Sequence, residues 1–261
     1  MWRNILKRFG AQQPVPEPSS GPPVYAIGDV HGQLDELRRV LALIEADGGP
    51  DARVVLVGDY VDRGPDSRGV LDLLSGAQDA GRNWVMLKGN HDRYLSRFLD
   101  EMIVQDPATR GDLTWFNPRL GGDKTLASYG VTAEEGAPLQ PIQTAARAAV
   151  PERHRDFLAG LPLMHREGEL LFVHAGIRPG IPLDQQVEDD VIWIRDPFLQ
   201  YRKSFGPLVV HGHTALDYPE HAGNRVNLDG GAGYFRPLHA AVFQGRNCWL
   251  LSEDGRVPLM P

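Results

Sequence analysis

Three short blocks of the sequence combine glycine with acidic, imidazole and amide side chains at spacings that could build one reaction centre. The blocks occupy residues 28–32 (GDVHG), 58–64 (GDYVDRG) and 89–92 (GNHD), and two further histidines, His174 and His213, follow short apolar runs. Carboxylates, imidazoles and an amide carbonyl suit hard or borderline divalent cations such as manganese, iron or zinc. The pattern therefore predicts a metal site without thiolate ligands.

The candidate ligands divide between two cations. A two-metal centre with ions about 3.5 to 4 Å apart needs one shared carboxylate, and Asp59, in the middle block, is the expected bridge. Asp29 and His31 would complete the site of one ion. The ligands expected to complete the other are Asn90, His174 and His213.

These blocks follow apolar runs that have the length and composition of β-strands. The runs occupy residues 24–27, 54–57 and 84–87, and apolar residues at helical spacing lie between them. Successive blocks are about 30 residues apart, the length of a βαβ unit, which predicts parallel strands joined by right-handed crossovers. Because such strands end at one edge of a sheet, the polar side chains of the three blocks should converge there.

The rest of the chain completes an α/β fold in this prediction. Residues 93–169 are expected to form a mainly helical insertion that caps the site, with one helix near 142–149. Strand candidates follow and are expected to form a second sheet. These candidates are 170–173, 208–210, 240–243 and 248–251.

Composition restricts the partners and the compartment. The net charge of -7 over 261 residues argues against a surface that binds a nucleic-acid backbone. No apolar run approaches the roughly 20 residues of a transmembrane helix. The single cysteine, Cys248, excludes both a disulfide scaffold and a thiolate zinc site, and it favours a reducing, cytoplasmic location. The oligomeric state stays open.

The first residues differ in character from the rest. Residues 1–23 contain five prolines and are predicted to be a flexible tail that precedes a domain at 24–261. Within the tail, Trp2, Ile5 and Phe9 lie near helical spacing beside basic residues, so peripheral contact with a membrane surface or a partner is the second interpretation.

The three blocks, with VHAG at 173–176 and GHT at 212–214, resemble the signature of the phosphoprotein phosphatase family of calcineurin-like metallophosphoesterases. The sequence is more similar to the bacterial members, which include serine/threonine phosphatases and symmetrical diadenosine tetraphosphatases. Asp92 stands where eukaryotic protein phosphatases usually carry glutamate, and their SAPNY-like segment is missing. Eukaryotic regulatory partners and toxin sensitivity are therefore not expected.

The resemblance implies a fold and residue roles. It implies two mixed β-sheets packed as a sandwich and flanked by helices, with two metal ions at the sheet edges, manganese being the expected metal. His91 would protonate the leaving oxygen, and Asp62 would hold its imidazole charged and oriented. Arg63, and with it Arg195, would bind phosphate oxygens through their planar guanidinium groups.

For the activity, the resemblance implies hydrolysis of phosphoserine or phosphothreonine on proteins, by direct attack of a hydroxide that bridges the two metal ions. A symmetrical diadenosine tetraphosphate hydrolase, acting on dinucleoside polyphosphates, would use the same residues and is the alternative. A third alternative is a module that recognises phosphate without cleaving it. The expected partner is thus a phosphoprotein or a phosphorylated small molecule.

Overall fold

The computed structural model describes residues 21–109, 111 and 113–261. Residues 1–20, the main part of the predicted tail, lie outside the described residues. The elements in chain order are β1 (Val24–Ile27), α1 (Leu34–Gly48), β2 (Arg53–Leu56), α2 (Ser67–Asp79), β3 (Trp84–Met86), α3 (Asn90–Glu101), α4 (Gly122–Ser128), α5 (Leu139–Ala149), α6 (Glu152–Ala159), β4 (Met164–Glu167), β5 (Leu170–Val173), α7 (Glu188–Trp193), β6 (Leu208–His211), β7 (Glu220–His221), β8 (Arg225–Asn227), β9 (Ala240–Gln244), β10 (Asn247–Ser252) and β11 (Gly255–Pro258).

The first sheet contains the three strands that precede the polar blocks. Its strand order is β11-β10-β9-β1-β2-β3, with β1 and β3 both parallel to β2. Ile27 pairs with Leu56, and Leu56 pairs with Met86, so the three strands end at one edge. Helices α1 and α2 cover one face with buried residues such as Leu37 and Leu71. The predicted convergence of strand ends is confirmed.

The last strands of the chain lie in a different sheet from the one predicted. Residues 240–243 and 248–251 were expected in the second sheet, but they form β9 and β10 of the first, with β9 antiparallel to β1. All residues of β1 are buried, so backbone groups on its free edge must find partners inside the protein. Strand β9 supplies these partners, a long-range pairing that no local pattern in the sequence reports.

The second sheet packs against the first. Its strand order is β4-β5-β6-β8-β7. Within it, β6 is parallel to both of its neighbours, β5 and β8. Ala26, Val55 and Phe243 from the first sheet share one buried cluster with Phe172 and Val210 from the second. The structure thus confirms an α/β fold in which two mixed sheets form a sandwich flanked by helices.

The segment predicted as an insertion joins the main core. Its helices α5 and α6 bury Ile142, Ala146 and Phe157 in the same cluster as the residues of α1 and α2, and its last strand, β4, belongs to the second sheet. The predicted helix near 142–149 is the second half of α5. Among the helices of the described residues, none combines the length and the hydropathy needed to cross a membrane.

Candidate metal centre

The six predicted ligands converge at the carboxyl ends of strands from both sheets. Asp29 and His31 follow β1, Asp59 follows β2, and Asn90 opens α3 directly after β3. The two remaining histidines follow β5 and β6 of the second sheet. All six side chains are buried, with exposed fractions of 8% or less. The sandwich therefore brings together residues that lie as much as 184 positions apart.

Asp59 occupies the position expected of a bridge. Within the described residues, two groups of side chains could hold a cation, with ligand atoms less than 4.8 Å apart in each group. One group is His31, Asp59 and His91, and the other is Asp59, His174 and His213. Asp59 is common to both groups.

Three ligand atoms face one another around Asn90. His174 Nε2 lies 2.9 Å and His213 Nδ1 lies 2.8 Å from the same Asn90 Oδ1. His174 donates its Nδ1 proton to the carbonyl of Val57, 3.0 Å away, so its Nε2 presents a lone pair to the amide oxygen. Asp59 Oδ1 is 3.4 Å from this Nε2. Imidazole nitrogens, a carboxylate and an amide oxygen at these separations form a donor set that a divalent cation could bind.

A similar arrangement lies on the other side of Asp59. His31 donates its Nδ1 proton to the carbonyl of Val61 (2.9 Å), so its Nε2 carries the lone pair, 3.5 Å from Asp59 Oδ2. Asp29 belongs to neither group of three, and its carboxylate accepts the backbone N–H of His213 at 2.9 Å. Its assignment as a ligand stays a prediction.

The electrostatics of the centre also fit cations. Burial raises the pKa of Asp59 to about 7, and burial together with Asp229 raises the pKa of Asp29 well above its usual range. Burial lowers the pKa of His174 to about 4, so this imidazole is neutral and can act as a ligand. A bound cation requires deprotonated ligands. It would therefore stabilise the ionised form of these carboxylates, which burial alone disfavours. The donor set is therefore compatible with divalent cations.

His91 and Asp62 form the expected pair. Asp62 Oδ2 lies 2.6 Å from His91 Nδ1, and it also accepts the indole N–H of Trp115 at 2.8 Å. Its other oxygen accepts the hydroxyl of Thr125 at 2.6 Å. Segment 93–169 thus fixes the carboxylate that orients the imidazole. Burial and the nearby Arg63 lower the pKa of His91 well below its usual range. The charged form expected of this imidazole stays a prediction.

The two candidate phosphate-binding arginines differ in position. Arg63 points into the centre, where Nη1 donates to His31 Nε2 at 2.7 Å and Nη2 donates to His91 Nε2 at 3.0 Å. Arg195 is exposed, and it lies near enough to lower the pKa of Asp59 through its charge. Both stay predicted substrate-binding residues, and Arg63 has direct contacts with the centre.

The backbone at this centre adopts an uncommon conformation. His31, Asp59, Asp62, Arg63 and His213 have φ angles between 46° and 73°, in the left-handed region. A non-glycine residue in a sparsely populated region costs about 1–3 kcal/mol, and such residues cluster at functional sites. The fold therefore maintains this geometry at the expense of local stability.

Asp92 supports the ligand loops from behind. Its Oδ2 accepts the backbone N–H groups of Asp59 and Gly89, and its Oδ1 accepts that of Tyr60, all at 2.9 Å. The side chain therefore ties the loop after β2 to the start of α3. Its contacts are those of a helix cap and a loop anchor.

Asp92→Asn is expected to lower the free energy of unfolding by about 1–3 kcal/mol, because the new amide turns an N–H group toward a buried backbone donor. Urea unfolding at pH 8 in the presence of a chelator measures this loss without a metal contribution. The matched control is Asp254→Asn, at an exposed turn. Equal stability of the Asp92 variant and the wild-type protein would contradict the anchoring role.

Sequence reasoning missed Asp229. Its side chain is 3% exposed, and its charge raises the pKa of Asp29. Asp229 Oδ1 accepts the backbone N–H of Gly231 at 2.9 Å and so shapes the loop that runs beside the centre. The only sequence signal was an aspartate within the glycine-rich run 227–232.

The chain is similar to known proteins over most of its length. The family described as calcineurin-like phosphoesterase (Metallophos) matches residues 22–244. The symmetrical bis(5'-nucleosyl)-tetraphosphatase of Nitrosomonas europaea is 30% identical over 197 residues, which cover 74% of this chain and 60% of the relative. Across three tetraphosphatases of this name, the matches cover 44–60% of the relatives' length.

Solved structures share the fold. A crystal structure of a candidate diadenosine tetraphosphatase has a TM-score of 0.61 and 24% identity, and the match covers 94% of this chain and 96% of that one. A cold-active protein tyrosine phosphatase has a TM-score of 0.62 and 19% identity over 92% of this chain and 79% of its own. At these identities the likeness is one of fold.

Proposed function

We propose that this chain, which belongs to the calcineurin-like phosphoesterase family, hydrolyses dinucleoside tetraphosphates at their central phosphoanhydride bond. One water molecule is consumed, the central P–O bond breaks, and two nucleoside diphosphates leave. The observation that carries phosphoryl hydrolysis is the buried centre in which Asp59 is common to two groups of metal-binding side chains. The names of the relatives support the dinucleotide substrate better than the phosphoprotein substrate that the sequence first suggested.

Each part of the centre has a role in this reaction. Divalent cations, with manganese as the expected metal, would activate a water molecule and neutralise charge on the phosphoryl oxygens. The six buried ligands would hold them. Arg63 has two N–H groups that point to the same side, toward His31 and His91. A guanidinium in this orientation can donate to two oxygens of one phosphate group.

His91 is positioned to transfer a proton. Its Nδ1 is held by Asp62, so its Nε2 faces the centre. As a general acid, this imidazole would matter in proportion to how strongly basic the leaving group is. A nucleoside diphosphate is a weakly basic leaving group that needs little protonation. Cleavage of an anhydride therefore places only a small demand on His91.

Hydrolysis of phosphoserine or phosphothreonine is the second candidate. The same ligands and Arg63 would bind a phosphomonoester, but its alkoxide leaving group needs a proton from His91. The relatives named as tetraphosphatases favour the first candidate. The likeness to a tyrosine phosphatase structure concerns the fold and adds no support for a protein substrate.

A comparison of substrates tests the proposal. Purified protein with Mn²⁺ is supplied with diadenosine tetraphosphate, a phosphoserine peptide or p-nitrophenyl phosphate, and the products are separated by chromatography. We expect ADP as the sole nucleotide product and a kcat/KM at least about tenfold above that for the peptide. A control with excess chelator should be inactive. Formation of AMP and ATP, or preference for the peptide, would contradict the proposal.

A further inference from the structure

Two adjacent aromatic side chains are exposed on the loop between β8 and β9. Tyr234 is 55% and Phe235 is 74% exposed, in a domain whose other large apolar side chains are mostly buried. Phe235 has a φ angle of 62°, a conformation that bulky residues rarely adopt. The loop thus holds an aromatic side chain in solvent at a cost in backbone strain, which suggests selection for a contact outside the chain.

The loop lies directly against the candidate metal centre. A Cβ atom added at Gly233 would lie 3.0 Å from Arg63 Cδ and 2.5 Å from a ring carbon of His31, so the backbone packs on both residues. The guanidinium carbon of Arg63 is 5.0 Å from the ring centroid of Tyr234. The same guanidinium donates to His31 Nε2 at 2.7 Å. The guanidinium of Arg63 therefore contacts both the ring of Tyr234 and the predicted ligand His31.

The loop is also held in place. Asp229 accepts the N–H of Gly231, and the side chain of Gln33 donates to the carbonyl of Ala232 at 3.2 Å. The backbone N–H of Phe235 donates to the same carbonyl at 2.9 Å. A short 3-10 turn over Ala232–Tyr234 connects these anchors. Because the loop is held in place by its own contacts, a ligand that binds there would cause little further loss of conformational entropy.

We propose that Tyr234 and Phe235 form a stacking platform for one nucleobase of the substrate, an inference that rests on the proposed function. A ligand that fits this place needs a phosphate group for Arg63 and a planar apolar group for the adjacent rings. A nucleotide has both, separated by one sugar. Aromatic side chains bind bases of any sequence because every base has a π-face. The platform therefore selects nucleotides over inorganic polyphosphates and has little preference among bases.

Phe235→Ala tests the platform, because the Phe235 side chain is 74% exposed and is neither a predicted metal ligand nor a predicted phosphate-binding residue. The substrates are diadenosine tetraphosphate and inorganic tripolyphosphate, which share the phosphoanhydride bond and differ in the base. We expect the ratio of their kcat/KM values to fall about tenfold, mainly through KM for the nucleotide. Phe235→Trp should keep the ratio. The control is Val257→Ala, which removes an exposed apolar side chain from β11.

The outcomes separate this inference from the function on which it rests. An unchanged ratio in Phe235→Ala, with the wild-type protein cleaving diadenosine tetraphosphate, would overturn the platform and leave the function intact. If the wild-type protein does not cleave this nucleotide, the proposed function fails, and calorimetric binding of ADP against pyrophosphate then tests the platform. A binding advantage for ADP that Phe235→Ala abolishes would support it. If Phe235→Ala lowers kcat/KM for a phosphopeptide more than for diadenosine tetraphosphate, the platform proposal is wrong, and Tyr234 and Phe235 contact a protein ligand instead.

Discussion

Asp59→Asn is expected to lower kcat/KM for every substrate by more than about 10²-fold and to leave fewer than two divalent cations bound per chain. Loss of a residue that merely orients a metal ligand costs 10- to 100-fold, and a shared ligand should cost more. Asparagine has about the same shape and can still accept the backbone N–H of His91, a bond of 2.9 Å in the wild-type protein. The variant should therefore fold.

Metal analysis of the purified variant, together with kinetics on p-nitrophenyl phosphate, measures both effects. Asp35→Asn is the matched control, because its carboxylate is 99% exposed on α1. This control should bind two cations and turn over like the wild-type protein. Two ions per chain and a wild-type rate in Asp59→Asn would show that the bridging assignment is wrong.

His91→Asn is expected to separate the substrates by their leaving groups. General acid catalysis contributes about 10²–10⁴-fold when the leaving group is a poor one. The loss should approach this range on a phosphoserine peptide, whose alkoxide needs a proton, and stay below about tenfold on p-nitrophenyl phosphate and diadenosine tetraphosphate. Asp62→Asn should show a weaker form of the same pattern, because it disturbs the orientation of the imidazole.

The metal content of these variants completes the test. His91 also lies in one of the two groups that could hold a cation, so His91→Asn must keep both ions if the residue acts as an acid. Removal of a predicted ligand, as in His174→Asn, should lower activity on all substrates together. Equal loss on all substrates with both ions retained in His91→Asn would assign this residue to phosphate binding. Loss of an ion would make it a ligand.

The arrangement of the candidate centre could be predicted because it depends on local patterns. The apolar runs before Asp29, Asp59 and Asn90 are strands, and the helical spacing between them leaves few topologies besides parallel pairing. Parallel pairing then places the three side chains at one edge. The positions of these three predicted ligands follow from secondary structure and connection rules.

Other features depend on tertiary contacts that leave no local pattern. Strands β9 and β10 have the same apolar character as the strands of the second sheet, and only the open edge of β1 determines where they pair. The charge of His91 depends on how far burial removes it from water, which the sequence does not report. Asp229 follows β8, a strand of only three residues that the apolar pattern does not predict, so it could not be recognised as part of the centre.

The loop between β8 and β9, which carries Tyr234 and Phe235, also could not be predicted from local patterns. The residues that stabilise it, Asp229 and Gln33, lie almost 200 positions apart, and they meet only because β1 and the second sheet end at the same edge. The sequence around Tyr234 and Phe235 contains no recognisable motif. Their proximity to Arg63 is a result of packing.

The most direct test of a two-metal centre built on Asp59 is anomalous diffraction from crystals grown with Mn²⁺. We predict two peaks about 3.5–4 Å apart, one on each side of the Asp59 carboxylate. One peak should lie next to His31, and the other should lie among Asn90, His174 and His213. A single peak, or two peaks that do not contact Asp59, would contradict the account.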